Sequence, residues 1–304
     1  MCARKMHADE VDTDVPLVRR LLAGQFPHWA HLPIEPVPSA GTDNAIYRLG
    51  EDMAVRLPRI AAATGQLQKE ARWLPKLAPH LPLAIPTPLA AGAPAEGFPW
   101  HWSVYRWLEG QTATIDRFAD PRQAAIDLAR FVTAMHGIDA AGGPPPGAHN
   151  SFRGVPLAMR DESTRAAIAS LRGTLTSGAV SAAWEAALRA PAWQGPPVWI
   201  HGDLSAGNLL VVRGSLSAVI DFGCLGIGDP ACDLMVAWTL FSGQSREAFR
   251  AALSVDQATW ARGRGWALSW ALIFIPYYVE TNPVGVASAR RTIEEVLAEL
   301  RSGA

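Results

Sequence analysis

Apolar and polar positions along the chain change rhythm twice. Asp14-Val15-Pro16 reads as a helix start, with Asp14 as the cap and Pro16 in the first turn. Leu17, Val18, Leu21 and Leu22 then recur at helical spacing up to Gly24. Pro27, Pro33, Pro36 and Pro38 break the next stretch. The rhythm becomes strand-like over Ala45–Leu49 and Met53–Leu57, which flank Gly50-Glu51-Asp52 and read as a hairpin. Thr64–Ala78 returns to helical spacing and predicts a face of Leu67, Ala71, Leu74 and Ala78. Trp102–Leu108 suits a further strand, ended by Glu109-Gly110.

Beyond that point helices dominate. Arg122–His136 carries Ala125, Leu128, Ala129, Val132 and Met135 on one face and stops at Gly137. The Gly/Pro run 141–148 reads as a loop. Short strands are expected at Val198–Ile200, Leu209–Val212 and Leu216–Ile220, and helices from Asp233 onward. Strands followed by helices predict an α+β chain with two lobes. The expected division is a strand-rich 1–108 and a helical 109–304, joined near 105–110, with a ligand cleft between them.

Composition narrows the class. With 304 residues and 49% hydrophobic content the chain has ample material for a core, and disorder is excluded for it as a whole. The net charge of −1 supplies no field for nucleic acid or anionic lipid. The 3 cysteines, Cys2, Cys224 and Cys232, include no C-x-x-C and predict free thiols rather than a disulfide framework or a zinc site. Met1–Asp14 has no apolar signal core. Trp266–Val279 is shorter than the ~18 residues of a membrane span and contains Pro276, so a buried helix is expected there. These features predict a cytoplasmic protein.

Chemistry concentrates in His201-Gly202-Asp203-Leu204-Ser205-Ala206-Gly207-Asn208 and the later Asp221-Phe222-Gly223. Asp203 follows an apolar strand and lies on a loop, where a carboxylate can accept a proton from a substrate hydroxyl. Asn208 and Asp221 offer the hard oxygens that Mg²⁺ prefers, with nucleotide phosphates and water completing its shell. The segment between them folds back through Arg213-Gly214-Ser215, a hairpin that brings its ends together. The D-x-x-x-x-N spacing is that of protein-kinase catalytic loops, so the set points to phosphoryl transfer from a nucleotide. His201 reads as architectural; its spacing to Asp203 and Cys224 matches no zinc pattern.

His201-Gly-Asp-Leu-Ser-Ala-Gly-Asn208, Ile220-Asp-Phe-Gly223 and Gly228-Asp-Pro-Ala-Cys-Asp233 together resemble the aminoglycoside phosphotransferase family. That family includes macrolide phosphotransferases and is similar in fold to protein kinases. The resemblance extends over nearly the whole chain. It implies a protein-kinase-like bilobal fold, Asp203 as base and Asn208 and Asp221 as metal ligands, with Asp229 and Asp233 structural.

On the same comparison, Ala54-Val55-Arg56 occupies the kinase V-A-I-K strand, with Arg56 where the family usually has lysine. Arginine keeps the charge and forks onto phosphate oxygens. Glu70, on the following helix, is its expected partner. Ser39, Gly41 and Asn44 lie in a loop resembling the G-x-D-N loop of macrolide-type phosphotransferases, where backbone amides approach phosphates. Tyr105 and Trp107 fall in the hinge expected at the nucleobase.

The expected partners are a nucleoside triphosphate, ATP or GTP, with Mg²⁺, and a small-molecule hydroxyl acceptor such as an aminoglycoside or macrolide. Trp266, Trp270, Ile273, Tyr277 and Glu280 recur at helical spacing. Trp270, Tyr277 and Glu280 are the candidates for holding a sugar or amine, against a reading of the stripe as core. Another metabolite alcohol and a nucleotide-binding pseudoenzyme are the competing functions.

Overall fold

The computed structural model describes residues 10–38, 43–173 and 177–302. The first part contains helix α1 (Val15–Gln25), strands β1 (Ile34–Pro36), β2 (Asn44–Leu49) and β3 (Met53–Pro58), helix α2 (Thr64–Leu77), and strands β4 (Pro88–Gly92) and β5 (Trp102–Arg106). The strands form one sheet in the order β1-β2-β3-β5-β4, every neighbour antiparallel. Asp14 caps α1 by accepting the Leu17 amide at 2.7 Å. Leu17, Val18, Leu21 and Leu22 then cover one sheet face, meeting Tyr47, Leu49, Val55, Leu57 and Val104. Strand alternation sends Val55 and Leu57 into that cluster and leaves Arg56 for the opposite face, beside α2.

α2 departs from the expected face. Leu67, Glu70, Trp73, Leu74 and Leu77 are buried, whereas Ala71 and Ala78 are exposed. The apolar surface of Trp73 and Leu77 exceeds that of two alanines, so burial of the larger groups sets the roll of the helix. That roll takes Glu70 inside. Strands β1 and β4 were not evident in sequence. β1 is an edge strand containing Pro36, a place where a missing donor is tolerated.

The second part adds β6 (Gln111–Thr112), α3 (Pro121–His136), α4 (Asp161–Ser170), α5 (Ser177–Leu188), β7 (Val198–Ile200), β8 (Leu209–Val212), β9 (Ser215–Val219), β10 (Gly226–Gly228), α6 (Val236–Thr239), α7 (Gly243–Leu253), α8 (Gln257–Tyr278) and α9 (Pro283–Ser302). α3 starts at its Asp120 cap and stops at Gly137, with the expected face buried. α8 runs through Pro276. It buries Trp266 fully but leaves Tyr277 65% exposed, so the aromatic stripe grades from core to surface. Among the described residues no helix is long and apolar enough to cross a membrane. Cys224 and Cys232 are free thiols; Cys2 lies outside the described residues.

Two apolar clusters underlie this layout, one between α1 and the sheet, the other filling the helical part. Trp73 of α2 crosses to the second and packs on Trp199 of β7, ring centres 4.8 Å apart.

Asp229 and Arg262 form a buried pin beneath the site. The Arg262 Nε donates to Asp229 Oδ2 at 2.8 Å, and the side chains are 3% and 4% exposed. Asp229 also caps the turn that follows by accepting the Ala231 amide. Asp229→Ala would strand the guanidinium in the core, and equilibrium denaturation should record a loss of about 3–5 kcal/mol. A loss below ~1 kcal/mol would mean that water reaches Arg262.

Candidate active site

β7 delivers the chain to Asp203 through a turn held by a single carboxylate. Asp233 is fully buried and accepts the backbone amides of His201 at 3.0 Å and Gly202 at 2.7 Å. Its Oδ2 also meets His136 Nε2 at 3.3 Å. Gly202 has φ +81, and a Cβ there would come within 2.7 Å of the Cys224 carbonyl, so only glycine fits. His201 Nε2 lies 3.0 Å from the Ile220 carbonyl, while its Nδ1 accepts the Asp203 amide at 3.2 Å. Those partners place the ring proton on Nε2. His201 thereby ties the Asp203 loop to the end of β9.

Asn208 is oriented by what its amide donates. Its Nδ2 reaches the Asp203 carbonyl at 2.8 Å and Asp203 Oδ2 at 3.0 Å. With both N–H groups committed, the group it offers outward is an oxygen. The β8–β9 hairpin closes when the Ile220 amide donates to the Asn208 carbonyl at 2.9 Å, which brings Asp221 alongside. Asp221 has φ +60, left-handed backbone that is costly for a residue with a Cβ. Its Oδ1 accepts the Gly223 amide at 3.3 Å, and the side chain remains 46% exposed. An amide oxygen and a half-exposed carboxylate suit Mg²⁺, which needs few protein ligands when phosphates supply the rest.

From the sheet side, Arg56 meets this loop. Its Nη1 donates to both Glu70 oxygens at 2.8 Å; its Nη2 donates to Gln66 at 2.8 Å and reaches Asp221 Oδ1 at 3.4 Å. Burial opposes the charge, but Glu70 and Asp221 outweigh it and raise the Arg56 pKa. Lys69 makes a second crossing, donating to the Gly223 carbonyl at 2.7 Å and the His149 carbonyl at 3.2 Å.

The remaining expected site residues are dispersed. Asn44, buried at the start of β2, donates to Gln66 at 3.3 Å and so belongs to the Arg56 network; Ser39 and Gly41 lie outside the described residues. Tyr105 sits within the sheet, and its hydroxyl donates to Glu70 at 2.5 Å, so its side chain joins the ion pair. The Trp107 amide donates to Asp52 at 2.6 Å and its ring stacks under Arg48, 4.3 Å from the guanidinium. Trp270 is half-buried against Phe274, Tyr277 meets Tyr278 edge to face, and Glu280 lies exposed beyond the end of α8. A concavity of about 520 Å³, lined by Glu109–Gln111 and Val211–Gly214, is set apart from Asp203.

Two site residues escaped sequence reading. Lys69 adjoins Glu70, and helical geometry alone could not rank it above its neighbours. Arg153 lies in a loop without periodicity, and its Nη2 stands 3.6 Å from Asp203 Oδ1. Burial raises the Asp203 pKa above the ordinary carboxyl value, and Arg153 offsets only part of that.

The antiparallel sheet that carries Arg56 and the helical part that carries Asp203 and Asn208 make a protein-kinase-like fold. Solved structures agree. The GDP and kanamycin complex of APH(2")-IIia aligns with TM-score 0.73 and 20% identity, over 93% of this chain and 98% of that one. Macrolide 2'-phosphotransferase MphH from Brachybacterium faecium aligns with TM-score 0.58 and 22% identity, over 93% and 98%. In sequence, an Escherichia coli aminoglycoside 3'-phosphotransferase is 46% identical over 55 residues, 18% of this chain and only 20% of that protein. The profile of the phosphotransferase enzyme family matches residues 34–266. The chain belongs to that family.

The raised Asp203 pKa has a consequence for stability. A carboxyl whose pKa is higher folded than unfolded costs stability above the folded value, and the cost vanishes as pH falls to the unfolded one. Asp203→Asn should therefore melt higher than wild type near pH 7–8, with the difference shrinking toward pH 4. A lower melting temperature at pH 7–8 would instead make the Arg153 contact dominant.

Proposed function

We propose that this chain transfers the γ-phosphate of a nucleoside triphosphate to a hydroxyl group of a small molecule. The observation that carries the reading is the link from Arg56 to Asp221 beside the Asp203–Asn208 pair. It supports a cation and two oxygen donors on the donor side of a carboxylate base. Residues 1–108 would hold the nucleotide and 109–304 the acceptor.

Asp203 accepts the acceptor's proton as its oxygen bonds to the γ-phosphorus and the bond to the β–γ bridging oxygen breaks. Arg56, oriented by Glu70, binds phosphate oxygens. Asn208 and Asp221 would hold Mg²⁺, which neutralises charge on the phosphates when bound. Ser39, Gly41 and Asn44 would cover the phosphates, and backbone groups near Tyr105 and Trp107 the base. The similar structures include complexes with GDP and with ATP, so both donors merit assay. A nucleotide donor supports a cytoplasmic location for the reaction.

The named relatives act on aminoglycosides and macrolides, which makes these the first acceptors to assay, with other metabolite alcohols beside them. The intact base and oxygen donors argue against a pseudoenzyme.

Asp203→Asn should lower turnover by roughly 10²–10⁴-fold in a coupled nucleotide-consumption assay while preserving nucleotide binding. Wild-type turnover in that variant would remove Asp203 from the chemistry. The rise in melting temperature on adding nucleotide and Mg²⁺ should disappear in EDTA; a shift unchanged by EDTA would overturn the metal assignment.

A further inference from the structure

The acceptor side of Asp203 carries two cations that the reaction above does not use. Arg153 is 8% exposed, and its Nε is buried without a hydrogen-bond partner. Its carboxylate neighbour is Asp203 itself, at 3.6 Å, beyond a good hydrogen bond. Arg160, one short loop later, donates its Nε to Ser269 Oγ at 2.9 Å and makes no ion pair among the described residues. Both guanidinium groups lie over the same ring: the Trp266 centroid is 5.8 Å from Arg153 and 4.7 Å from Arg160. The neighbouring carboxylate, Asp161, is turned away to Trp184 Nε1 and Arg165.

Two guanidinium groups over one ring repel each other, and withdrawal from water makes each costlier. Burial and the Arg153 charge bring Arg160 down to about 10. A fold that needed only packing here would place neutral side chains over Trp266. Unbalanced positive charge beside a reaction centre is what an anion relieves, and guanidinium forks match carboxylate and phosphate oxygens.

We propose that Arg153 and Arg160, seated over Trp266, form a subsite for an oxyanion carried by the acceptor, a carboxylate or a phosphate. The inference rests on the phosphotransferase reading and deepens it. The acceptor is a small hydroxyl compound with an acidic group near the hydroxyl that Asp203 deprotonates. Exposed Phe152 and Met159, each beside one of the arginines in sequence, give the loop apolar surface as well. Polycationic acceptors would meet repulsion at this position.

Inorganic phosphate is the first probe, read by melting temperature. It should stabilise the wild-type protein with a non-hydrolysable Mg-nucleoside triphosphate already bound. The shift should be lost in Arg160→Met and kept in Arg160→Lys. A shift undiminished in Arg160→Met would overturn the subsite. So would a shift abolished by the triphosphate, since the anion would then occupy the donor's own phosphate position. Second, the wild-type enzyme should consume nucleotide with hydroxy acids or sugar phosphates in preference to kanamycin; the reverse preference would overturn the proposal. Asp203→Asn separates the two readings. It should keep the phosphate-induced shift and lose turnover. Turnover at the wild-type rate with the shift intact would refute the proposed base while leaving the anion subsite standing.

Discussion

The Arg56–Glu70 ion pair is the constraint on which the site depends. Both partners are nearly excluded from water, with side chains 9% and 0% exposed. Such a pair contributes little net stability, because desolvation offsets the attraction, but leaving either partner alone is costly. The surrounding structure is arranged accordingly. Tyr105 supplies a hydroxyl to Glu70, and Gln66 takes the remaining Arg56 nitrogen while receiving Asn44. Strand β3, strand β5 and helix α2 are thus held in one register by polar contacts. The free end of that network reaches Asp221, beyond the β8–β9 hairpin.

In the helical part a different economy applies. Asp233 holds two consecutive backbone amides, and Asp229 holds a buried arginine and a turn. Neither needs to touch a substrate. Asp233 holds the backbone that leads into Asp203, and Asp203 keeps 33% of its side-chain surface open. The burden of precision is carried by residues in the core, and the exposed groups are left for chemistry.

Much of this was legible in sequence, for a physical reason. His201, Asp203, Asn208 and Asp221 lie on one strand–loop–hairpin unit, so their spacing along the chain is nearly their arrangement in space. The β2–β3 hairpin and the α3 face were legible because alternation and helical period are local properties. The roll of α2 was not, since it follows from Trp73 finding Trp199, a residue distant in sequence. The tie from Tyr105 to Glu70 was not legible, because sheet pairing, which aims its hydroxyl there, leaves no trace in local pattern. Arg153 was invisible for a similar reason: its loop has no period, and its approach to Asp203 is decided by what lies beneath.

What lies beneath is a contact between two glycines. Gly154 has φ +83, its carbonyl accepts the Asp229 amide at 2.9 Å, and a Cβ on Gly228 would come within 2.5 Å of that carbonyl. Backbone rests on backbone there, with no side chain to yield. Arg153, the preceding residue, therefore inherits its position from a joint without slack, whereas Arg160 precedes a helix and is held through a serine hydroxyl. In a lineage diverging toward new substrates, the two arginines would not be equally free to change. Arg160 is the place where an acceptor preference can drift one mutation at a time, and the Gly154–Gly228 joint is the place where it cannot.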